Sequence, residues 1–397
     1  MSLNDVVSAE RVHIGFFGMR NAGKSSLVNA ITGQPMSVVS EVKGTTTDPV
    51  KKAMELLPLG PVLITDTPGL DDEGGLGEKR IERARKILAQ TDIAVLVADG
   101  CAGLSDKDKE LIELFKERSL PYVVAYNKSD IAPARTTAEN EICVSAVTGE
   151  NITELKNMLG RFAKPASKRF IIADLLEQGD TVVLVMPIDA AAPKGRLILP
   201  QQMTLREVLD HHCCAVVCQD FELAAALDNL KKPPKLVVTD SQAFGRVSAV
   251  TPENVMLTSF SILMARYKNE LASQIKGAAA LSKLKDGDRV LISEGCTHHR
   301  QCGDIGSVKL PAWIEQFSGA KPRFEFSSGN EFPRELAQYK LIIHCGGCML
   351  NEAEMKHRTG LANSMNVPIV NFGIAIAHIH GILRRSLEPF PEMLEQI

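Results

Sequence analysis

The sequence predicts an α/β protein in which short apolar strands alternate with helices. Three runs at 62–65, 93–97 and 122–126 are apolar at nearly every position, which is typical of parallel strands covered on both faces. Helical patterns at 78–90 and 106–118 fit between them. With 397 residues, of which 45% are hydrophobic and 23% charged, the chain is long enough for two or three folded domains.

Linker composition and the predicted elements divide the chain into three domains. A polar, proline-containing segment at 163–168 ends the first, so residues 1–166 form one α/β domain and 167–266 and 267–397 form two smaller ones. Further strands are predicted at 181–185, 215–217, 235–238, 288–292, 339–343 and 367–370.

Bulk properties exclude several function classes. A net charge of −3, without a basic face, argues against nucleic-acid binding. No apolar run approaches the ~18 residues of a membrane span, so we expect no membrane association. The N-terminus lacks the pattern of a secretory signal, which favours a cytoplasmic location. The nine cysteines are then expected to be reduced, which makes clustered cysteines candidate metal ligands.

A phosphate-binding loop follows a further apolar strand, which is predicted at residues 12–17. Gly18 and Gly23-Lys24-Ser25 have the spacing Gly-x4-Gly-Lys-Ser between a strand and a helix. Glycines let backbone N–H groups approach phosphate oxygens, Lys24 reaches the β- and γ-phosphates, and Ser25 binds Mg²⁺. The predicted nucleotide-binding residues here also include Asn21, Ala22 and Ser26.

Three later motifs accompany this loop. Asp66, with Gly69 three residues on, follows a strand where P-loop enzymes place an aspartate associated with Mg²⁺. A carboxylate at Asp130 can accept hydrogen bonds from guanine N1 and N2 and would reject adenine. The remaining predicted contacts to the base are Asn127, Lys128, Ser145 and Ala146. In this order, over roughly residues 10–163, the motifs resemble those of the translation-factor-like GTPases, which implies GTP/GDP and Mg²⁺ as ligands.

Two further roles are predicted near the phosphates. Of the three consecutive threonines at 45–47, Thr46 is predicted to bind Mg²⁺ when the γ-phosphate is present. The sequence leaves open that one of its two neighbours takes this role. The predicted catalytic set is therefore Lys24, Ser25, Thr46 and Asp66. Asn21 resembles the asparagine that binds K⁺ in potassium-activated GTPases, and the alternative is an ordinary surface loop residue.

A second motif lies near the C-terminus. Cys296-x-His298 is followed, after a long interval, by His344-Cys345-x2-Cys348. Each half comes directly after a predicted strand, and thiolates are soft ligands suited to iron–sulfur clusters or zinc. The spacing alone does not separate a three-cysteine [4Fe–4S] cluster from a zinc site with three cysteines and one histidine.

This cysteine pattern on the same chain as a GTPase domain resembles the [FeFe]-hydrogenase maturation GTPases of the HydF family. The resemblance implies a GTPase domain, a dimerisation domain and a cluster-binding domain. It implies that Cys296, Cys345 and Cys348 hold a [4Fe–4S] cluster, with His298 and His344 as candidate ligands or hydrogen-bonding neighbours. A homodimer would receive a diiron precursor from radical SAM maturation enzymes and deliver it to apo-[FeFe]-hydrogenase. The alternative is a zinc-stabilised regulatory GTPase that binds a protein or RNA partner.

Other cysteines and histidines receive structural interpretations. The segment 214–218 is interpreted as a buried strand, and Cys101 and Cys143 as core residues. His378 and His380 are interpreted as helix-surface residues.

Overall fold

The computed structural model describes residues 11–33, 50–67, 87–162, 169–188, 197–268, 271–295, 305–329, 331–347 and 350–395. The chain divides into two compact units, Met1–Ser167 and Lys168–Ile397. Both combine β-sheets with surrounding helices, which confirms the predicted α/β class. None of the helices among these residues is long and apolar enough to cross a membrane.

The first unit contains a six-stranded sheet. Its strands are β1 (Val12–Phe17), β2 (Val50–Leu56), β3 (Gly60–Asp66), β4 (Ile93–Asp99), β5 (Tyr122–Asn127) and β6 (Glu141–Cys143). They are arranged in the order β2-β3-β1-β4-β5-β6, and only β2 runs antiparallel to its neighbour. The apolar runs predicted from the sequence occupy the centre of this sheet, where both faces are covered.

Three helices of this unit are described throughout: α1 (Lys24–Thr32), α2 (Asp106–Glu117) and α3 (Ile152–Phe162). Helix α2 begins with a capping box, in which the Ser105 hydroxyl accepts from the Asp108 N–H at 3.2 Å and the Asp108 carboxylate accepts from the Ser105 N–H at 3.0 Å. The helix predicted at 78–90 falls mainly outside the described residues.

The second unit contains two four-stranded parallel sheets. One has the order β10-β9-β7-β8, from β7 (Thr181–Val185), β8 (Cys214–Cys218), β9 (Leu236–Thr239) and β10 (Met256–Ser259). The other has the order β12-β11-β13-β14, from β11 (Arg289–Glu294), β12 (Arg323–Ser328), β13 (Leu341–His344) and β14 (Ile369–Asn371).

Helices cover these sheets. They are α4 (Leu199–Asp210), α5 (Leu223–Asp228), α6 (Phe244–Val250), α7 (Phe260–Tyr267), α8 (Leu271–Ala278), α9 (Leu310–Ser318), α10 (Glu352–Ser364), α11 (Phe372–Ile379), α12 (Leu383–Ser386) and α13 (Pro391–Leu394). A π-helical turn, Ile305–Lys309, precedes α9.

One apolar core extends across both sheets of the second unit. It includes Val183 and Val237 from the first sheet, Ile292 and Ile343 from the second, and Ile262 from helix α7. All five are fully buried. The two predicted domains 167–266 and 267–397 thus share a hydrophobic core, and the boundary between them stays a prediction.

The interpretation of residues 214–218 as a buried strand is wrong. The segment is a strand, but it is the edge strand β8, with Cys214 exposed and Val217 48% exposed. Apolar composition did not reveal this because an edge strand and a central strand can carry the same residues. Cys101 is also exposed, since it lies in the turn after β4, whereas Cys143 is half-buried.

Candidate functional site

The glycine loop after β1 has a backbone that only glycine accommodates at two positions. Gly18 has φ +140° and Gly23 has φ +84°. A Cβ at Gly18 would lie 2.2 Å from the Val97 carbonyl oxygen, and one at Gly23 would lie 2.1 Å from Asn127 Nδ2. The loop therefore packs directly against the ends of β4 and β5, and Gly23 leads into helix α1.

Lys24 is buried at 7% exposure and folds back over this loop. Its Nζ donates hydrogen bonds to the carbonyl oxygens of Gly18 at 2.9 Å and Met19 at 2.7 Å. These acceptors hold the ammonium group above the turn, where it would meet the terminal phosphates of a nucleotide. Asn21 is exposed at the tip of the same turn, with φ +62°.

The structure brings Ser25 and Asp66 together. Ser25 Oγ donates to Asp66 Oδ2 at 2.7 Å, although the residues are 41 positions apart. Asp66 ends β3, the neighbour of β1, and the next residue, Thr67, donates from both N and Oγ1 to the Phe16 carbonyl oxygen. A hydroxyl and a buried carboxylate at the edge of a phosphate loop are suitable oxygen donors for Mg²⁺.

Asn127 connects the glycine loop with the predicted base-binding loop. Its Nδ2 donates to the Ala22 carbonyl oxygen at 3.0 Å, and its Oδ1 accepts from the Ala146 N–H at 3.0 Å. Asp130 is exposed, and its Oδ1 accepts from Ser145 Oγ at 2.6 Å. This contact leaves the rest of the carboxylate accessible to a ligand and fixes its orientation.

Lys128 contacts a carboxylate at the end of β4. Its Nζ lies 2.6 Å from Asp99 Oδ2, and this hydrogen bond lowers the pKa of Asp99. Lys128 has φ +70°, so the backbone turns sharply between Asn127 and Asp130. Ser26 is half-buried in the first turn of α1. Thr46 and Gly69 lie outside the described residues.

The C-terminal motif begins at two neighbouring strand ends. β11 and β13 pair in parallel, with Ser293 opposite His344. Cys345 follows β13, and its Sγ accepts from the N–H groups of Gly295 at 3.0 Å and Gly347 at 3.4 Å. Burial raises the pKa of the Cys345 thiol, and these two N–H groups act in the opposite direction.

Both of these glycines are required by the packing around the thiol. A Cβ at Gly295 would lie 2.9 Å from Leu350 Cγ, and one at Gly347 would lie 2.6 Å from Met355 Sδ. Because neither residue carries a side chain, Leu350 and Met355 pack closely against the backbone that bears these N–H groups. Such donors stabilise a thiolate, which is the form that binds metals.

His344 is fully buried beneath Cys345 and both ring nitrogens are engaged. Nδ1 lies 2.7 Å from the Cys345 carbonyl oxygen, and Nε2 lies 3.0 Å from Arg358 Nη1. A guanidinium can only donate, so Nε2 accepts and the proton resides on Nδ1. Burial, with a smaller contribution from Arg358, lowers the pKa of His344 to about 3. His344 is thus a neutral hydrogen-bonding support of Cys345.

Sequence reasoning missed the residues around His344. Arg358 is fully buried, and its Nε donates to Glu354 Oε1 at 2.8 Å while its Nη2 donates to the Gly329 carbonyl oxygen at 2.6 Å. Their spacing of four on helix α10 is an ordinary surface pattern, so only the burial of both residues reveals the network.

Three residues of the cysteine motif, Cys296, His298 and Cys348, lie outside the described residues. Gly295, immediately before Cys296 in the sequence, donates its N–H to the Cys345 thiol, so the chain ends of β11 and β13 lie side by side at one edge of the sheet. Within the described ranges no group of three His, Cys, Asp or Glu side chains is placed to hold a metal ion. His378, interpreted as a surface residue, is half-buried against Phe317, with ring centroids 5.4 Å apart.

Comparison with protein families accounts for most of the chain. The model of the Hydrogen maturase F dimerization domain matches residues 171–269, and that of the Hydrogen maturase F tetramerization domain matches residues 272–389. The chain belongs to the HydF family of hydrogenase maturases. The model described as 50S ribosome-binding GTPase matches residues 13–128. A GTPase domain therefore precedes the two HydF domains in the sequence.

Curated relatives match the first unit. GTPase Der of Wolinella succinogenes is 35% identical over 176 residues, which cover 40% of this chain and 37% of that protein. The tRNA modification GTPase MnmE of Neisseria meningitidis serogroup C is 35% identical over 160 residues, covering 39% and 35%. The chain thus spans little more than a third of the length of these relatives. A crystal structure of a probable GTP-binding protein engB is 26% identical and covers 38% of this chain and 98% of its own, with a TM-score of 0.30.

Proposed function

We propose that this chain is a GTP-hydrolysing scaffold that carries a [4Fe–4S] cluster and delivers a diiron precursor to apo-[FeFe]-hydrogenase. The observation that carries this proposal is the Cys345 thiol, which lies at two adjoining strand ends and accepts two backbone N–H groups in a chain of the HydF family. Two backbone N–H donors directed at one sulfur favour the thiolate form, which is the form that binds metals.

The donor set fits an iron–sulfur cluster. Cys296, Cys345 and Cys348 would supply three thiolates, and the N–H groups of Gly295 and Gly347 would stabilise the negative charge on sulfur. The bound cluster would supply one iron that no cysteine holds, to which a second metal fragment can attach. His344 would fix the Cys345 backbone through its Nδ1–H and leave that iron to other donors.

The nucleotide site supports hydrolysis of GTP to GDP and phosphate. Lys24 would neutralise charge on the β- and γ-phosphates, and Ser25 would bind Mg²⁺, with Thr46 joining it in the GTP state. Asp66, which accepts a hydrogen bond from Ser25 Oγ, would orient the ligands of the Mg²⁺. Asp130, oriented by Ser145, would select guanine.

Asn21 is proposed to help bind K⁺ beside the phosphates. Its side chain is exposed at the tip of the phosphate loop, and a cation there would offset charge in the transition state. Hydrolysis should then be faster in K⁺ than in Na⁺ at equal ionic strength. Asn21→Ala should abolish the difference, and a potassium effect that survives the substitution refutes this role.

The two C-terminal domains indicate how the chains associate. We propose a homodimer, formed through residues 171–269 and able to associate further, that works in the cytoplasm. Radical SAM maturation enzymes would supply the precursor, and neither nucleic acid nor membrane would be a partner. Nucleotide state would change contacts with these partners instead of driving chemistry at the cluster.

Anaerobic reconstitution with iron and sulfide tests the cluster. We expect brown protein with about four iron atoms per chain. Cys345→Ser should lower the iron content severely, whereas Cys143→Ser, a half-buried cysteine in the GTPase unit, should not. Colourless protein that instead retains zinc would establish the alternative, a zinc-stabilised regulatory GTPase.

A further inference from the structure

A serine hydroxyl from the neighbouring segment of the chain lies against residues 345–347, here called the cysteine loop. Ser261 is in the first turn of helix α7, within the segment matched by the dimerization-domain model. Its Oγ lies 3.5 Å from the position that a Cβ on Gly346 would occupy. Apart from the residues adjoining Gly346, no other atom of the described ranges lies within 4 Å of that position.

The end of strand β14 holds Ser261 in this place. Asn371 is 3% exposed, and its Nδ2 donates to the Ser261 carbonyl oxygen at 3.1 Å. In the sheet Asn371 pairs with His344, the residue directly before Cys345. A Cβ at Gly373 would lie 2.6 Å from Ser261 Cβ, so a larger residue there would displace the serine. The carboxyl ends of β10, β13 and β14 therefore meet around the cysteine loop.

The Ser261 hydroxyl is available to a ligand. The residue is half-buried, and the described part of the chain offers its Oγ no hydrogen-bond partner. A hydroxyl can donate one hydrogen bond, and a cluster bound by three thiolates carries negative charge. The N–H groups of Gly295 and Gly347 already point at the Cys345 sulfur, so a hydroxyl at this loop would act on the same charge.

We propose that the Ser261 hydroxyl donates a hydrogen bond to the iron–sulfur cluster and raises its reduction potential. This inference rests on the proposed function, because it requires that the three cysteines hold a cluster. It makes the cluster site a joint product of two segments. The one matched by the tetramerization-domain model supplies the thiolates, and the one matched by the dimerization-domain model supplies a polar donor.

Two serine substitutions separate the hydroxyl at the cysteine loop from packing nearby. Ser261→Ala removes the proposed donor. Ser241→Ala is the matched control, because Ser241 Oγ would lie 2.8 Å from a Cβ at the same Gly373 and is buried without a hydrogen-bond partner in the described ranges. Each variant of the full chain is reconstituted anaerobically, checked for folding by circular dichroism, and measured for iron content and midpoint potential.

Removal of the donor should make the midpoint potential more negative. Reduction adds negative charge to the cluster, so a hydrogen bond to it stabilises the reduced state more than the oxidised one. We expect Ser261→Ala to shift the reduction equilibrium about tenfold, which is 59 mV for one electron. Its iron content should stay at the wild-type level, because all three thiolates remain. Ser241→Ala should match wild type in both measurements.

Gly346→Ala provides a second and independent variant. Gly346 does not have a positive φ, and its new Cβ would make an ordinary contact with Ser261 Oγ, so the chain accommodates alanine there. The added methyl group would restrict the approach of the hydroxyl to the cluster. The potential should again become more negative, and combination with Ser261→Ala should give less than the sum of the two shifts.

Several outcomes overturn the inference. A wild-type potential in Ser261→Ala would do so, as would equal shifts in the two serine variants, because packing around Gly373 would explain them. Strict additivity with Gly346→Ala contradicts it too, and severe loss of iron from Ser261→Ala would make the serine a structural support. If Ser261→Ala does not fold, a wild-type potential in Gly346→Ala refutes the donor. If wild-type protein binds no iron–sulfur cluster, the proposed function itself fails.

Discussion

Arg358→Met should destabilise the second unit more than any exposed substitution. Arg358 and Glu354 form an ion pair with side chains 0% and 6% exposed, and Arg358 also donates to His344 Nε2 and Gly329 O. Removal of one member of a buried pair leaves the other charge uncompensated, which costs about 3–5 kcal/mol. Methionine fills most of the volume, so little of the loss comes from a cavity.

Urea unfolding of the protein without metal measures this effect. Trp313, the single tryptophan, lies in α9 of the second unit, so its fluorescence reports on the unit that contains Arg358. Arg206→Met provides the matched control, because Arg206 and Asp210 form a pair of the same spacing on α4 with side chains 76% and 50% exposed. We expect the control to change the unfolding free energy by no more than ~0.5 kcal/mol.

A double-substitution cycle tests the physical reason. Glu354→Gln removes the uncompensated charge, so Arg358→Met combined with Glu354→Gln should recover about 1–3 kcal/mol relative to the sum of the single variants. A loss below ~1 kcal/mol in Arg358→Met, or strict additivity in the double variant, would refute the assignment of a desolvated ion pair beneath Cys345.

Three further predictions concern single positions. Asp130→Asn should weaken GTP binding by about 1–3 kcal/mol and increase the preference for xanthine nucleotides, measured by calorimetric titration; unchanged GTP affinity would contradict guanine recognition. Gly347→Ala should cost about 1–3 kcal/mol, because φ is +59° and the new Cβ would meet Met355 Sδ, whereas Gly360→Ala on α10 has open space and should be neutral or stabilising in the same urea assay. Burial lowers the pKa of His378 below its ordinary value of 6.5, so its contribution to stability is present above pH 6.5 and is lost as the pH falls. His378→Gln should therefore flatten the dependence of unfolding free energy on pH between about 7 and 5, and an unchanged slope would contradict it.

The central strands could be predicted from the sequence because burial on both faces leaves a continuous apolar run. The strand expected at 181–185 is observed as Thr181–Val185, and the one expected at 122–126 as Tyr122–Asn127. Strand β2, Val50–Leu56, was not predicted, because edge strands alternate apolar and charged residues and resemble loops. The sequence therefore revealed the sheet centres better than their edges.

The candidate sites, too, could be predicted only in part from the sequence. The phosphate loop and the cysteine motif are visible from spacing, because their chemistry requires particular residues at fixed offsets. Lys268 and Arg358 could not be found in this way. Lys268 bonds the Leu350 carbonyl oxygen from a distant part of the sequence, and Arg358 is buried against His344. Neither a distant contact nor the burial of a charged side chain leaves a pattern in the sequence.

The apolar core shared by the two sheets of the second unit makes the C-terminal region mechanically continuous. Ile262 and Val237 pack in the same core as Ile292 and Ile343, so a chain cut near residue 266 would leave each fragment with an open apolar face. The segments matched by the dimerization- and tetramerization-domain models then belong to one cooperative folding unit, so destabilising either segment also loosens the loop that contains Cys345. If subunit association stabilises this unit, association and folding are linked equilibria, and dilution alone would loosen the loop that contains Cys345.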